Sequence, residues 1–149
     1  MYAKGREDGM SKLPVYEHVV QYYETDQMAV VHHSNYIRWF EEARVYIFDK
    51  IGLGYRELEE KGIISPVTAV TAEFKTMTKF YDTVNIEVKF VKFTGVRLYI
   101  EYVVSDKTTG EVRCTGRSEH CFIGNDGKIM SIKRSTPDIY EKMMNYIEE

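Results

Sequence analysis

The chain has 149 residues, of which 44% are hydrophobic and 29% charged, with a formal net charge of -3. That is the size and balance of one globular domain able to bury roughly 70% of its unfolded surface. The charge argues against a general nucleic-acid binder, which carries a basic face. No apolar run reaches the length of a membrane span, so no membrane partner is expected.

Residues 1–13, MYAKGREDGMSKL, are charged and lack the apolar core of a secretory signal. They are expected to form a flexible tail on a single domain spanning 1–149, in a reducing cytoplasm. VYEHVVQYYE, Val15 to Glu24, is rich in Val and Tyr and predicts a strand. From Ser34 to Lys50 the period changes. Tyr36, Phe40, Ala43, Ile47 and Ile51 step by three and four, which predicts a helix with one apolar face. Ile37, Trp39, Val45, Tyr46 and Phe48 widen that face, so most of the helix must be covered. Ser34 or Asn35 suits its N-cap, and Gly52 suits its C-terminal stop. Arg38 and Glu42 are four apart and read as a weak surface pair.

Strand signals follow in a row. Pro66 to Thr78 is one. Val84, Ile86, Val88 and Phe90 alternate with polar residues, as do Leu98, Ile100, Tyr102 and Val104, with the FTG turn between the two runs. SDKTTGE leads into Val112–Ile123, and GNDGK turns the chain again. Thr136-Pro137 predicts a short closing helix that packs Ile139, Met143 and Met144. One long buried helix followed by antiparallel strands implies an α+β fold, a curved sheet around the helix. Its uncovered flank and sheet edge favour a homo-oligomer.

Asp26 lies where the first strand ends, eight residues before the helix start. A helix N-terminus has unpaired N–H groups and a partial positive charge, which can hold a developing oxyanion. A carboxylate beside it can attack a carbonyl or activate water to do so. On residue chemistry alone Asp26 is most simply a turn former or remote cap, His32 and His33 are packing groups, and Glu41 and Glu42 are solvated helix charges. His18 and His120 have no partner visible in the spacing. Cys114 and Cys121, seven apart in one predicted strand, point to opposite faces and should not bond. No Cys/His spacing reads as a zinc site. Two zones are basic, Lys75 to Arg97 and Arg113 to Arg134, and fit either solvated surface or an anionic ligand.

The stretches YETDQM (Tyr23–Met28), VVHHSNY (Val30–Tyr36) and WFEEAR (Trp39–Arg44) resemble the 4-hydroxybenzoyl-CoA thioesterase family, in its acyl-CoA thioesterase branch. The likeness extends from Val15 to Tyr140, through Asp82 and the closing NDGK segment. It implies a hotdog fold, an antiparallel sheet wrapped around a central helix, in dimers or dimers of dimers with sites at subunit interfaces. By position it implies Asp26 as the catalytic carboxylate and the His33 backbone N–H as the group polarising the thioester carbonyl. Asn35 and Tyr36 would line the substrate. Acyl-CoA would be the partner, with no metal or organic cofactor required. Arg97, Lys133 and Arg134 are the candidate groups for the CoA phosphates. The family usually has glycine where this chain has Ala29, so a turn needing positive φ would be strained here. Two other readings stand beside the thioesterase one: a non-catalytic acyl-CoA-binding protein, and a 3-hydroxyacyl dehydratase using His33 with Glu41 or Glu42.

Overall fold

A computed structural model describes residues 12–148. The predicted helix is present as α1, Ser34–Lys50, 17 residues long. Its buried side chains are Asn35, Tyr36, Trp39, Phe40, Ala43, Arg44, Ile47 and Phe48. The helix ends as Gly52 implied. Gly52 has φ 81°, its N–H donates to the Asp49 carbonyl, and the Leu53 N–H donates to the Phe48 carbonyl. This is the paired reverse bond of a Schellman stop. The N-terminus differs from expectation. His33, not Ser34 or Asn35, occupies the cap position, and its side chain accepts no capping N–H. His32 Nδ1 instead accepts the Ser34 N–H at 3.2 Å, and the Asn35 side-chain amide donates to the Glu24 carbonyl.

The sheet is antiparallel throughout. Its strands are β1 (Tyr16–Val19), β2 (Val67–Phe74), β3 (Thr83–Phe93), β4 (Arg97–Asp106) and β5 (Val112–Cys121), in spatial order β1-β3-β4-β5-β2. Val84, Ile86, Val88 and Phe90 of β3 and Leu98, Ile100, Tyr102 and Val104 of β4 are all buried. Their alternation turns one face of the sheet onto α1. Phe40 stacks on Tyr102 with ring centres 4.2 Å apart, and Phe48 meets Phe90 at 5.4 Å. Gly116 on β5 lies directly under the Phe40 ring of the helix. A Cβ there would come within 2.5 Å of the Phe40 ring and 2.8 Å of the Thr71 carbonyl oxygen.

Several boundaries shift from the sequence expectation. The first strand stops at Val19, and Tyr22–Glu24 curl into a 3-10 turn in which the Glu24 carboxylate accepts the Gln21 N–H. Leu13, expected in the tail, is fully buried in the core; residues 1–11 lie outside the described residues. A short helix α2 (Tyr55–Glu60) has no counterpart in the sequence reading. The closing segment divides into α3 (Ile132–Ser135) and α4 (Pro137–Met144). Met143 is buried there, but Met144 is 37% exposed and does not join the core. Both cysteines are free and buried. No helix among the described residues is long and apolar enough to cross a membrane.

Apolar side chains are exposed on α1 and on β2. On α1, Ile37 and Val45 are exposed. Strand β2 stands at the end of the sheet with one edge unpaired, and Val67, Val70 and Phe74 are exposed along it. Such an edge is a template for another strand.

Candidate active site

The link from β1 to α1 is a small hairpin. Thr25 bridges Val31, the Asp26 N–H donates to the Val30 carbonyl at 2.9 Å, and the Ala29 N–H donates to the Asp26 carbonyl at 2.9 Å. The Asp26 carboxylate accepts the Met28 N–H at 2.8 Å through Oδ1, as an acidic residue opening a turn commonly does. Ala29 has φ 65°. The turn therefore has the left-handed geometry that glycine would adopt freely, and alanine is strained there at a cost of order 1 kcal/mol. All three hydrogen bonds nevertheless form, so Asp26 remains fixed.

A cleft of about 320 Å³ opens beside this hairpin, lined by Asp26, Met28, Val31, His33, Tyr36 and Phe74 among others. The structure thus brings together Asp26, His33 and Tyr36 from the sequence reading. The His33 N–H makes no hydrogen bond among the described residues, at a helix start where the macrodipole is positive. The His33 ring stacks on His32 at 4.1 Å and meets Phe74 edge-on at 6.0 Å. Tyr36 is buried, its hydroxyl bonded to Thr78 Oγ1 at 2.8 Å. Burial holds its phenol above the ordinary value, against the opposing effect of the Thr78 bond, so it is a neutral polar group in an aromatic wall.

Asn35 does not line the cleft. Its buried side chain donates to the Glu24 carbonyl at 2.8 Å and accepts from Arg38 at 3.2 Å, so it braces the helix start. Arg38 therefore turns toward Ser34 and Asn35 rather than Glu42. Glu42 accepts the Tyr16 hydroxyl and lies 3.2 Å from His18 Nδ1. Glu41 and Glu42 line a different cleft, with Tyr16, Arg38, Val45 and Tyr46, and neither carboxylate lines the cleft of His33. Arg97, Lys133 and Arg134 are also away from the Asp26 cleft. Arg97 begins β4 opposite Cys121, Lys133 lies over the Tyr140 ring near Gly95, and Arg134 is an exposed residue of α3. The basic group bordering the cleft is Lys75, ion-paired with Glu73 at 3.0 Å.

Sequence reasoning missed Phe74, Thr76, Met77 and Thr78, which come from the end of β2 and the following loop. No local pattern near Asp26 points to them, because sheet closure alone brings them close. It also missed Glu24, whose only outward signal is its place two residues before Asp26.

The chain is similar to known proteins over most of its length. A model of the thioesterase-like superfamily matches residues 20–144. YneP of Bacillus subtilis (strain 168), provisionally named an acyl-CoA thioesterase, is 28% identical over 127 residues, covering 83% of this chain and 91% of that protein. The provisionally named esterase sll0410 of Synechocystis is 30% identical over 84% of this chain and 75% of its own length. Among solved structures, the DHNA-CoA thioesterase of Staphylococcus aureus superposes with a TM-score of 0.84 at 31% identity, covering 89% of each chain. With its five-stranded antiparallel sheet around a long central helix, the chain belongs to the thioesterase-like superfamily of hotdog proteins, hydrolases that act on thioesters.

Proposed function

We propose that the chain is an acyl-CoA thioesterase that hydrolyses an acyl-CoA to the free acid and CoA. Asp26 delivers the attack and the His33 N–H receives the oxyanion. The observation that carries this reading is the cleft shared by a fixed carboxylate and, at the start of a 17-residue helix, an N–H that is unbonded among the described residues. As the carbonyl carbon becomes tetrahedral, negative charge grows on its oxygen, where the N–H and helix dipole stabilise it. Asp26 either takes a proton from attacking water or adds to the carbonyl itself; in both routes collapse breaks the C–S bond and releases the thiolate of CoA. In the second route water then hydrolyses the mixed anhydride left on Asp26, freeing the acid and restoring the carboxylate. No metal or organic cofactor is needed for these steps.

Tyr36, Phe74, Met28 and Met77 give the cleft an apolar, partly aromatic wall, which suits an aryl or medium acyl group. That the Staphylococcus aureus relative is a thioesterase of DHNA-CoA favours an aryl group. Lys75 is the first candidate for the nucleotide phosphates, ahead of Arg97, Lys133 and Arg134. The active unit is a homodimer in which two β2 edges pair, covering Val67, Val70 and Phe74 and closing the open side of the cleft. A panel of aryl, short and long acyl-CoAs, with free thiol followed by colour and mass measured by light scattering, tests both parts. Hydrolysis by a dimer or larger oligomer is expected. An inactive folded protein would sink the catalytic reading, and an active monomer the oligomeric one.

A further inference from the structure

We propose that Glu24 is a positioning residue for the reaction: its side chain and its carbonyl clamp β1, the Asp26 hairpin and the first turn of α1 into one geometry. The inference rests on the thioesterase reading of the Asp26 cleft. Glu24 is only 3% exposed. Its Oε1 accepts the Gln21 N–H at 2.8 Å and contacts His18 Nε2 at 2.8 Å, and its Oε2 accepts Trp39 Nε1 at 2.7 Å. The same residue's carbonyl accepts the His32 N–H at 2.8 Å and Asn35 Nδ2 at 2.8 Å. Five hydrogen bonds thus converge on the residue that closes the neck of the hairpin, between Asp26 and His33. They come from β1, from Gln21 just before the 3-10 turn, from His32 just before α1, and from two positions within α1.

The carboxylate's ionisation fits this role. Burial alone would raise its pKa, but the bonds from Gln21, His18 and Trp39 outweigh burial and hold it below the ordinary value. A charged, fully hydrogen-bonded carboxylate is a rigid anchor, since each bond is charge-assisted. His18 extends the clamp outward, with Nδ1 3.2 Å from Glu42, which also holds the Tyr16 hydroxyl. Although His18, Glu24 and Glu42 stand close enough to share a cation, His18 Nε2 and both Glu24 oxygens already hold protein partners. The arrangement is that of a brace. The consequence is catalytic because the two groups of the acyl site lie on either side of this neck. An error of ~1 Å between attacking and stabilising groups costs about 100-fold in rate.

The test compares kcat and KM of wild type, Glu24→Ala, Glu24→Gln and Asp26→Asn on the best acyl-CoA, with circular dichroism and Tm recorded for each. Glu24→Ala is expected to lower kcat about 10- to 100-fold with KM within about threefold, in protein that remains folded. Glu24→Gln, which keeps an acceptor for part of the network, should recover part of the loss. A lowered Tm with unchanged kcat in folded protein would overturn the proposal. Should Glu24→Ala fail to fold, Trp39→Phe removes one donor to Glu24 and keeps the ring; its kcat must fall with KM unchanged, and an unaltered kcat overturns the clamp. If wild type hydrolyses nothing, the thioesterase reading has failed by itself. Amide exchange then decides the clamp: faster exchange at Ala29, Val31, His32 and Asn35 in Trp39→Phe supports it, and unchanged exchange refutes it.

Discussion

His120 offers a direct probe of the core beneath α1. It is 2% exposed and ends a buried chain of polar contacts. Arg44 Nη1 donates to the Tyr102 hydroxyl at 2.8 Å, Tyr102 lies 2.6 Å from Ser118 Oγ, and Ser118 lies 2.7 Å from His120 Nε2. With protons running in one direction from the guanidinium, the chain closes only if His120 Nε2 is an acceptor, which requires a neutral ring. Burial, and then the positive charge of Arg44, push its pKa down from 6.5 to about 4. The unfolded chain therefore binds this proton more readily, so stability rises with pH across that window. The contribution is complete above about 6.5 and is lost as pH falls toward 4; the full gap corresponds to about 3 kcal/mol. By pH 5 roughly 2 kcal/mol of it should be gone. Urea unfolding at pH 7.5, 6.0 and 5.0 measures this, with His120→Gln as the reference that keeps an acceptor for Ser118 but does not titrate. Wild type should lose about 2 kcal/mol more than the variant between pH 7.5 and 5. Parallel pH curves for the two proteins would refute the neutral, buried histidine. Glu24 and Asp106, both held below their ordinary values, add losses only at lower pH, as acid protonates them.

Two other substitutions test the geometry around the site. Ala29→Gly relieves the strain at φ 65°, but glycine costs more backbone entropy, so a net gain below about 1 kcal/mol is expected, with hydrolysis preserved. Ala29→Val, with a branched side chain at the same φ, should lower Tm; equal Tm for all three would contradict the left-handed turn. Gly116→Ala forces a Cβ into the Phe40 ring and the Thr71 carbonyl, and should cost about 1–3 kcal/mol in chemical unfolding. A neutral result would mean that α1 sits farther from β5.

The sequence was most legible where period and local chemistry agree. The helix bounds Ser34–Lys50 follow from the apolar spacing and from Gly52, and the paired strands β3 and β4 follow from strict alternation about the Thr94-Gly95 turn. Local pattern misled where a tertiary partner won. Tyr22–Glu24 have strand-like residue types, yet the Glu24 carboxylate finds donors in Gln21, His18 and Trp39 only if the chain curls. The Asn35 side chain was expected to cap its helix and instead bonds across the hairpin neck. Arg38 and Glu42 have pairing distance on the helix, but each finds a better partner elsewhere. At the candidate site, the shared cleft of Asp26 and His33 could be anticipated because one short segment carries both. Phe74 and Thr78 could not, since they lie about forty residues away and meet Tyr36 only when β2 closes the sheet.

The central claim is that Asp26 performs the attack on a thioester carbonyl. Thiol release from the acyl-CoA panel, measured for wild type and Asp26→Asn side by side, tests it most directly. Asparagine keeps the size of the side chain and an oxygen for the Met28 N–H, but removes the negative charge that attacks or accepts the proton. The expected result is hydrolysis by wild type and a loss of at least about 100-fold in kcat for the variant, with the same circular dichroism spectrum and Tm within a few degrees. Near-full activity in Asp26→Asn would contradict the account.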